Sequence, residues 1–251
     1  MQYGLKAKER KEYSFTAPDL GSFVHNILDI FSKSLNKDKL NWHEINEDYI
    51  RVKVSIIVDE MVSKISGFIL NSSERYKYLA YRLKKMLISA INIISMQIKQ
   101  GNFEPVDYEV SFRKNGKYPP IKLTLNNGEE ITLVGQIDRI DELEKDDSKY
   151  IRIVDYKSGD KSINLTEVYY GLQLQLLVYL DAIIESDKYK KSTLKPAAIL
   201  YNRIDNPIVK SNEDQKDSII NEEILKKLRM NGLVLKDKDI IGEMDLSLKE
   251  G

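Results

Sequence analysis

A hydrophobic run over 151–157, IRIVDYK, finishes with an acid and a lysine two residues apart and is followed by SG. If the run is a β-strand, its side chains alternate between faces. Ile151, Ile153, Asp155 and Lys157 then share one face, and Arg152, Val154 and Tyr156 the other. The β-carbons of Asp155 and Lys157 fall roughly 7 Å apart. A carboxylate at the edge of a core is costly unless it is compensated, and either the lysine or a divalent cation can compensate it. Upstream, GQIDRID places Asp138 near the end of another apolar run. If the segments 130–139 and 150–157 pair antiparallel, Asp138 and Asp155 approach each other, and two close carboxylates repel unless a cation lies between them. Oxygen-rich sites suit Mg²⁺ or Mn²⁺. Glu109 is a further carboxylate and His25 a possible imidazole ligand. A metal held there would polarise a phosphodiester and lower the pKa of a bound water. Lys157 would orient that water or stabilise charge in the transition state.

Each of these residues also has an ordinary reading. A lone D-x-K is most often a strand-end ion pair. Asp138, Arg139 and Asp141 together can be turn chemistry. A lone histidine is more often structural than a ligand, and His43, in NWHEIN, is read as structural. The combination shifts the balance toward a site.

Composition narrows the field. The 251 residues carry 39 Lys plus Arg against 39 Asp plus Glu, so net charge is zero and any nucleic-acid surface must be a local patch. No run approaches the roughly 20 apolar residues of a membrane span, and no signal peptide opens the chain. The chain has no cysteine, which removes disulfides, thiolate zinc and cysteine-ligated iron–sulfur clusters and fits a cytoplasmic setting. With two histidines, a multi-histidine metal site is excluded. No P-loop or Rossmann glycine pattern is present.

The pattern predicts one domain over 1–251, with a helical part at about 17–101, an α/β core at about 105–202 and an extension over 203–251. Helices are expected to start at Pro18 with Asp19 as cap, to cover 45–70, and to run over 73–100 up to Gly101. Strands are expected at 107–114, 121–125, 130–141, 150–157 and 195–202. Asn126-Asn127-Gly128 forms a hairpin turn and ELEKDDSK a polar turn region. One amphipathic helix is expected over 166–185 and another near 221–230. The alternation is that of a mixed α/β core.

GQIDRID, VDYKSG and GLQLQLLVYL, with FVHNIL upstream, resemble the RecB-like branch of the PD-(D/E)xK nucleases. By that resemblance His25 matches the upstream metal-ligand histidine, Asp138 the first acid, Asp155 the second and Lys157 the catalytic lysine. Gln175 and Tyr179 match the QxxxY element, and four residues apart they share a helix face. From YGLKAKERKEY to NGLVLKDKDIIGEMD, nearly the whole chain is similar to the C-terminal nuclease domain of the AddB-type subunit of bacterial helicase–nucleases, which process double-strand breaks for recombinational repair.

The resemblance implies a restriction-endonuclease-like α/β fold with a mixed sheet, flanking helices and an N-terminal helical insertion. It implies Mg²⁺, with Mn²⁺ as substitute, bound by His25, Asp138 and Asp155, with the Tyr156 carbonyl as a further ligand. Gln175 and Tyr179 would support the substrate, and Glu109 would act in the outer sphere or at a second metal. The implied substrate is single-stranded DNA, cut on the strand with the 5′ end, and the implied partner is an AddA-type helicase–nuclease chain. The family also holds a 4Fe–4S cluster on four cysteines. That cluster is impossible in this cysteine-free chain, which therefore reads as a trimmed piece with every catalytic position kept. Two other readings are a non-cleaving DNA-binding scaffold on the same fold and a Cas4-like nuclease.

Overall fold

The structure, a computed structural model, describes residues 17–66, 74–114, 116–184, 186, 193–205 and 217–250. Three long helices come first: α1 (Ala17–Asp38), α2 (Glu47–Ser66) and α3 (Glu74–Lys99). Their apolar residues recur at helical spacing: Val24, Ile27, Leu28 and Phe31 on α1, Ile50, Val54 and Val58 on α2, and Leu87, Ile91, Ile94 and Ile98 on α3. These stripes pack on one another, around Trp42, and against Val154, Tyr156, Ala198 and Leu200 of the sheet. α1 is described from Ala17, which puts position 19 within the helix rather than ahead of it. The expected helical positions 67–70 lie outside the described residues, as does the opening segment 1–16.

The sheet contains β1 (Glu104–Phe112), β4 (Gly135–Lys145), β5 (Ser148–Lys157), β6 (Thr193–Arg203) and β7 (Asn231–Val234), in the order β1-β4-β5-β6-β7. Only β5 and β6 run parallel. Of the two short helices α4 (Leu165–Tyr169) and α5 (Gln175–Ile184), α5 covers the second face, setting Leu176, Ala182 and Ile183 on Ile140, Ile151, Ile153, Ile199 and Tyr201. The result is a mixed sheet between helical layers, as expected. β5 is central and covered on both sides, which is why its sequence is apolar on both faces.

Four further expectations change. The segment 130–141 is not one strand: β3 (Glu130–Leu133) pairs with β2 (Ile121–Thr124) in a separate hairpin, and β4 begins at Gly135. A β-carbon at Gly135 would lie 2.5 Å from the Phe112 ring, so only glycine lets the chain enter the sheet there. ELEKDDSK is mostly strand: β4 and β5 are joined by Asp146 and Asp147 alone, both at positive φ (50° and 55°), a primed turn. Its charges pair across the ladder, with Lys149 Nζ 2.6 Å from Glu144. The helix expected over 166–185 is broken at Gly171 (φ 77°), which leaves Gln175 as the first residue of α5; its last position, 185, lies outside the described residues. The C-terminal part holds α6 (Asp217–Lys227), where a helix was expected, and also β7 and α7 (Lys238–Met244), which are too short to leave a periodic signal.

α7 is clasped to the corner between α3 and β1. The Glu243 carboxylate accepts from Lys249 Nζ (2.8 Å), Lys145 Nζ (2.9 Å) and the Asn102 amide, and its carbonyl accepts the Asn102 N–H at 2.8 Å. Lys249, then Lys145 and Asn102, hold the Glu243 carboxyl down at about 2, from the usual 4.5. A depressed carboxyl contributes stability that is present above its unfolded pKa and is lost as pH falls toward its folded pKa. The urea midpoint of Glu243→Gln is therefore expected to lie below the parent's at pH 7 and to converge on it between pH 4.5 and 2. A gap that does not change with pH would show that the clasp is not ionic.

Candidate active site

The β4–β5 ladder runs from the turn to Arg139 opposite Val154 and stops. Past that point the Tyr156 N–H donates to Asp138 Oδ2 at 2.6 Å in place of a ladder bond. Asp138 Oδ1 faces His25 Nδ1 at 3.2 Å, and the same nitrogen lies 3.2 Å from Glu109 Oε1. Glu109 sits in mid-strand at φ 46°, a left-handed conformation that costs a non-glycine residue about 1–3 kcal/mol and is held where the surroundings demand it. Its other oxygen accepts from the Gln136 amide. One donor atom each from His25, Glu109 and Asp138 lies within 4.8 Å of the others.

Asp155 lies beside this cluster, 2% exposed. Lys157 Nζ pairs with its Oδ2, and Gln175 Nε2 donates to its Oδ1 at 3.2 Å and to the Tyr179 hydroxyl at 2.8 Å. Tyr179 is anchored edge-on against Phe112, with ring centres 5.3 Å apart. Helix α1 thus delivers His25 from one face of the sheet and α5 delivers Gln175 and Tyr179 from the other. The two aspartates stand where the strands part.

The electrostatics call for a cation. Burial, then the negative charge of Asp138, pushes the Asp155 carboxyl up to about 6 against the pull of Lys157 and His25. Burial works against a charged His25, but hydrogen bonds to Asp138 and Glu109 override it and lift the imidazole to about 10. One imidazole nitrogen and two carboxylates thus converge on one point. The donor set fits a hard divalent cation there.

The structure brings His25, Asp138, Asp155, Lys157, Gln175 and Tyr179 together at one place. Glu109, expected in the outer sphere or at a second metal, stands as near His25 as Asp138 does. Tyr156 meets the site through its N–H and through its ring, 6.1 Å from that of His25. His43 pairs with Glu104 at 2.7 Å, away from the cluster. Arg139 and Asp141 are not turn residues: both are fully buried strand positions. Two contributors went unnoticed in the sequence, Gln136 behind Glu109 and Tyr201, whose ring lies 5.8 Å from Lys157 Nζ. Gln136 stood two residues before Asp138 and could have been picked out by that spacing; Tyr201 carried no local signal.

Residues 1–239 match the model of the PD-(D/E)XK nuclease superfamily. The chain belongs to that superfamily. It is also 68% identical, over all 251 residues, to the B subunit of an ATP-dependent helicase/deoxyribonuclease of Clostridioides difficile (strain 630). Proteins of the same name from Caldanaerobacter subterraneus subsp. tengcongensis and Thermoanaerobacter sp. (strain X514) are 56% and 54% identical over 98% and 99% of the chain. The chain spans about a fifth of the length of these curated relatives (22%, 21% and 22%). These matches bear out the resemblance to the AddB-type nuclease domain. Among the described residues, no helix is long and apolar enough to cross a membrane.

Proposed function

We propose that this chain is a metal-dependent deoxyribonuclease domain, an exonuclease that hydrolyses DNA phosphodiester bonds within a cytoplasmic helicase–nuclease complex acting in double-strand break repair. The observation that carries the reading is the convergence of His25, Glu109 and Asp138 beside the Asp155–Lys157 pair. His25, Asp138 and Asp155 would hold Mg²⁺, or Mn²⁺ in its place, with Glu109 adjoining and the Tyr156 carbonyl as a further ligand. When bound, the cation supplies Lewis acidity toward the phosphate and a more acidic water. Lys157 holds its ammonium at the mouth of the cluster, where it orients the attacking water and offsets charge growing on the phosphate oxygens. Gln175 fixes the Asp155 carboxylate and braces Tyr179. Asp138, tied to the Tyr156 N–H, is held in place before substrate arrives.

Single-stranded DNA, delivered by an AddA-type partner and cut on the strand with the 5′ end, is the substrate proposed. Tyr169 and Tyr170, 85% and 71% exposed just ahead of Gln175, offer aromatic faces on which unpaired bases stack.

The test is cleavage of end-labelled single-stranded DNA by the purified chain with Mg²⁺, with Mn²⁺ and with EDTA. Cutting is expected with either metal and none with EDTA. A folded chain that cuts nothing with any divalent metal would overturn the reading of this chain as an active nuclease.

A further inference from the structure

A cleft of about 380 Å³ opens directly beside Lys157, at the carboxyl ends of the parallel strands β5 and β6. Its walls bring six cations together from four parts of the chain: Lys157 on β5, Lys161 on the following loop, Arg203 on β6, and Lys226, Lys227 and Arg229 at the end of α6. Among the described residues, Asp160 is the one acid in the lining. This concentration is notable in a chain whose net charge is zero, because the fold has gathered on one surface what composition spreads evenly.

The cleft is built rather than incidental. Tyr201, 4% exposed, lies beneath it and carries Lys157 and Lys161 over its ring at 5.8 and 5.1 Å. Arg203 is locked by Asp205, whose Oδ2 accepts from its Nη2 at 2.8 Å. Among the described residues, no carboxylate lies within 4.0 Å of Lys161, Lys226 or Arg229, so these cations face the opening without an ion-pair partner there. A small-molecule pocket is mostly apolar with a few placed polar groups; this one is the reverse. Its chemistry suits a chain of phosphates, which gains affinity by releasing counterions.

We propose that this cleft is the backbone track of the substrate strand: Lys161, Lys226 and Arg229 grip the phosphates on one side of the scissile bond and feed it to Lys157. The proposal rests on the nuclease reading for its substrate, but its test does not need cleavage. Lys157 would be the last cation of the track as well as the first of the active site.

The experiment is fluorescence anisotropy of a labelled single-stranded oligonucleotide, in EDTA, from about 50 to 300 mM NaCl. The parent, Lys161→Ala/Lys226→Ala/Arg229→Ala and, as a control on α3 outside the cleft, Lys84→Ala are compared. Three lost phosphate contacts at about 0.7 each predict a slope of log affinity against log salt about two units shallower, and binding at least about tenfold weaker at the lowest salt. With Mn²⁺, the triple variant should raise KM and leave the rate at saturating DNA within about threefold. If the triple variant melts below the assay temperature, Lys161→Glu alone, on an exposed loop, must weaken binding in the same direction. Unchanged slope and affinity in the folded variants, or no DNA binding by the parent, overturns the track. If the variants lose binding as expected while the parent cuts nothing with either Mg²⁺ or Mn²⁺, the track is upheld and only the nuclease reading is overturned.

Discussion

Lys157→Ala is expected to lower the single-turnover rate of DNA cleavage by about 10²–10⁴-fold, the span seen when a positioned proton-transfer or charge-stabilising group is removed. It should leave Mn²⁺ affinity within about threefold. The asymmetry follows from the geometry. The convergent donors come from His25, Glu109 and Asp138, and none of them bonds to Lys157. The partner of Lys157 is Asp155, which also keeps the Gln175 amide. Removing the ammonium takes away a group that lowers the already raised Asp155 carboxyl, so a bound cation must do more of that work but is not displaced. Lys157→Arg should recover only part of the rate, because a planar guanidinium keeps the charge but not its position. The measurement is cleavage of end-labelled DNA beside a Mn²⁺ titration of the same variant. Cleavage by Lys157→Ala within about tenfold of the parent would remove Lys157 from the chemistry. Equal loss of cleavage and of metal would make it a structural counter-ion.

Much of this site could be read from the chain because it uses local grammar. Asp155 and Lys157 are separated by one strand period. Gln175 and Tyr179 are separated by one helical turn. His25 stands beside the apolar stripe of α1. What could not be read depends on long-range register. Glu109 joins His25 only because β1 pairs with β4 so as to set it across from Asp138, and because its backbone adopts a left-handed conformation that no pattern announces. Tyr201 reaches Lys157 only through the parallel β5–β6 pairing. The break at Gly171 went unseen because TEVYYGLQLQLLVYL carries helical periodicity straight across it; a single glycine weakens a helix by only about 1 kcal/mol and does not by itself decide the matter. β7 supplies four mostly exposed residues, too few for alternation to show.

The stretch most misjudged by local grammar is Arg139-x-Asp141, and it leads to the largest stability effect expected. Arg139 and Asp141 are 0% exposed and Arg152 is 3% exposed, between the sheet and the helical layer. Asp141 Oδ2 accepts from Arg152 Nε at 2.8 Å and from Arg139 Nη2 at 3.1 Å. Its Oδ1 faces Arg139 Nε at 2.9 Å, out of hydrogen-bond alignment. One carboxylate thus serves two buried guanidinium groups, and aromatic groups support both. Arg139 donates to the Tyr156 hydroxyl at 3.0 Å, and the Arg152 guanidinium lies 4.8 Å from the Phe103 ring centre. For Arg152, burial and then the charge of Arg139 outweigh Asp141 and lower its pKa, whereas for Arg139 burial is overridden by Asp141 together with Tyr156 and Tyr108, and its pKa is raised. Asp141 is what makes two like charges tolerable in one place. Asp141→Asn keeps the shape and removes the charge. Breaking a buried ion pair from one side costs about 3–5 kcal/mol, which for a chain of this size lowers the melting temperature by about 6–20 °C. Replacing a guanidinium as well, in Asp141→Asn/Arg152→Met, should recover part of that loss, since an uncompensated buried charge is worse than none. The cluster lies on the strands that carry Asp138 and Asp155, and Tyr156 is its link to the site, with its hydroxyl on Arg139 and its N–H on Asp138. The single variant should therefore lose cleavage on warming before it loses bulk helix signal, as the β4–β5 pair loosens first. Melting of Asp141→Asn within about 2 °C of the parent would mean that water or a neighbouring group, not Asp141, neutralises the two arginines.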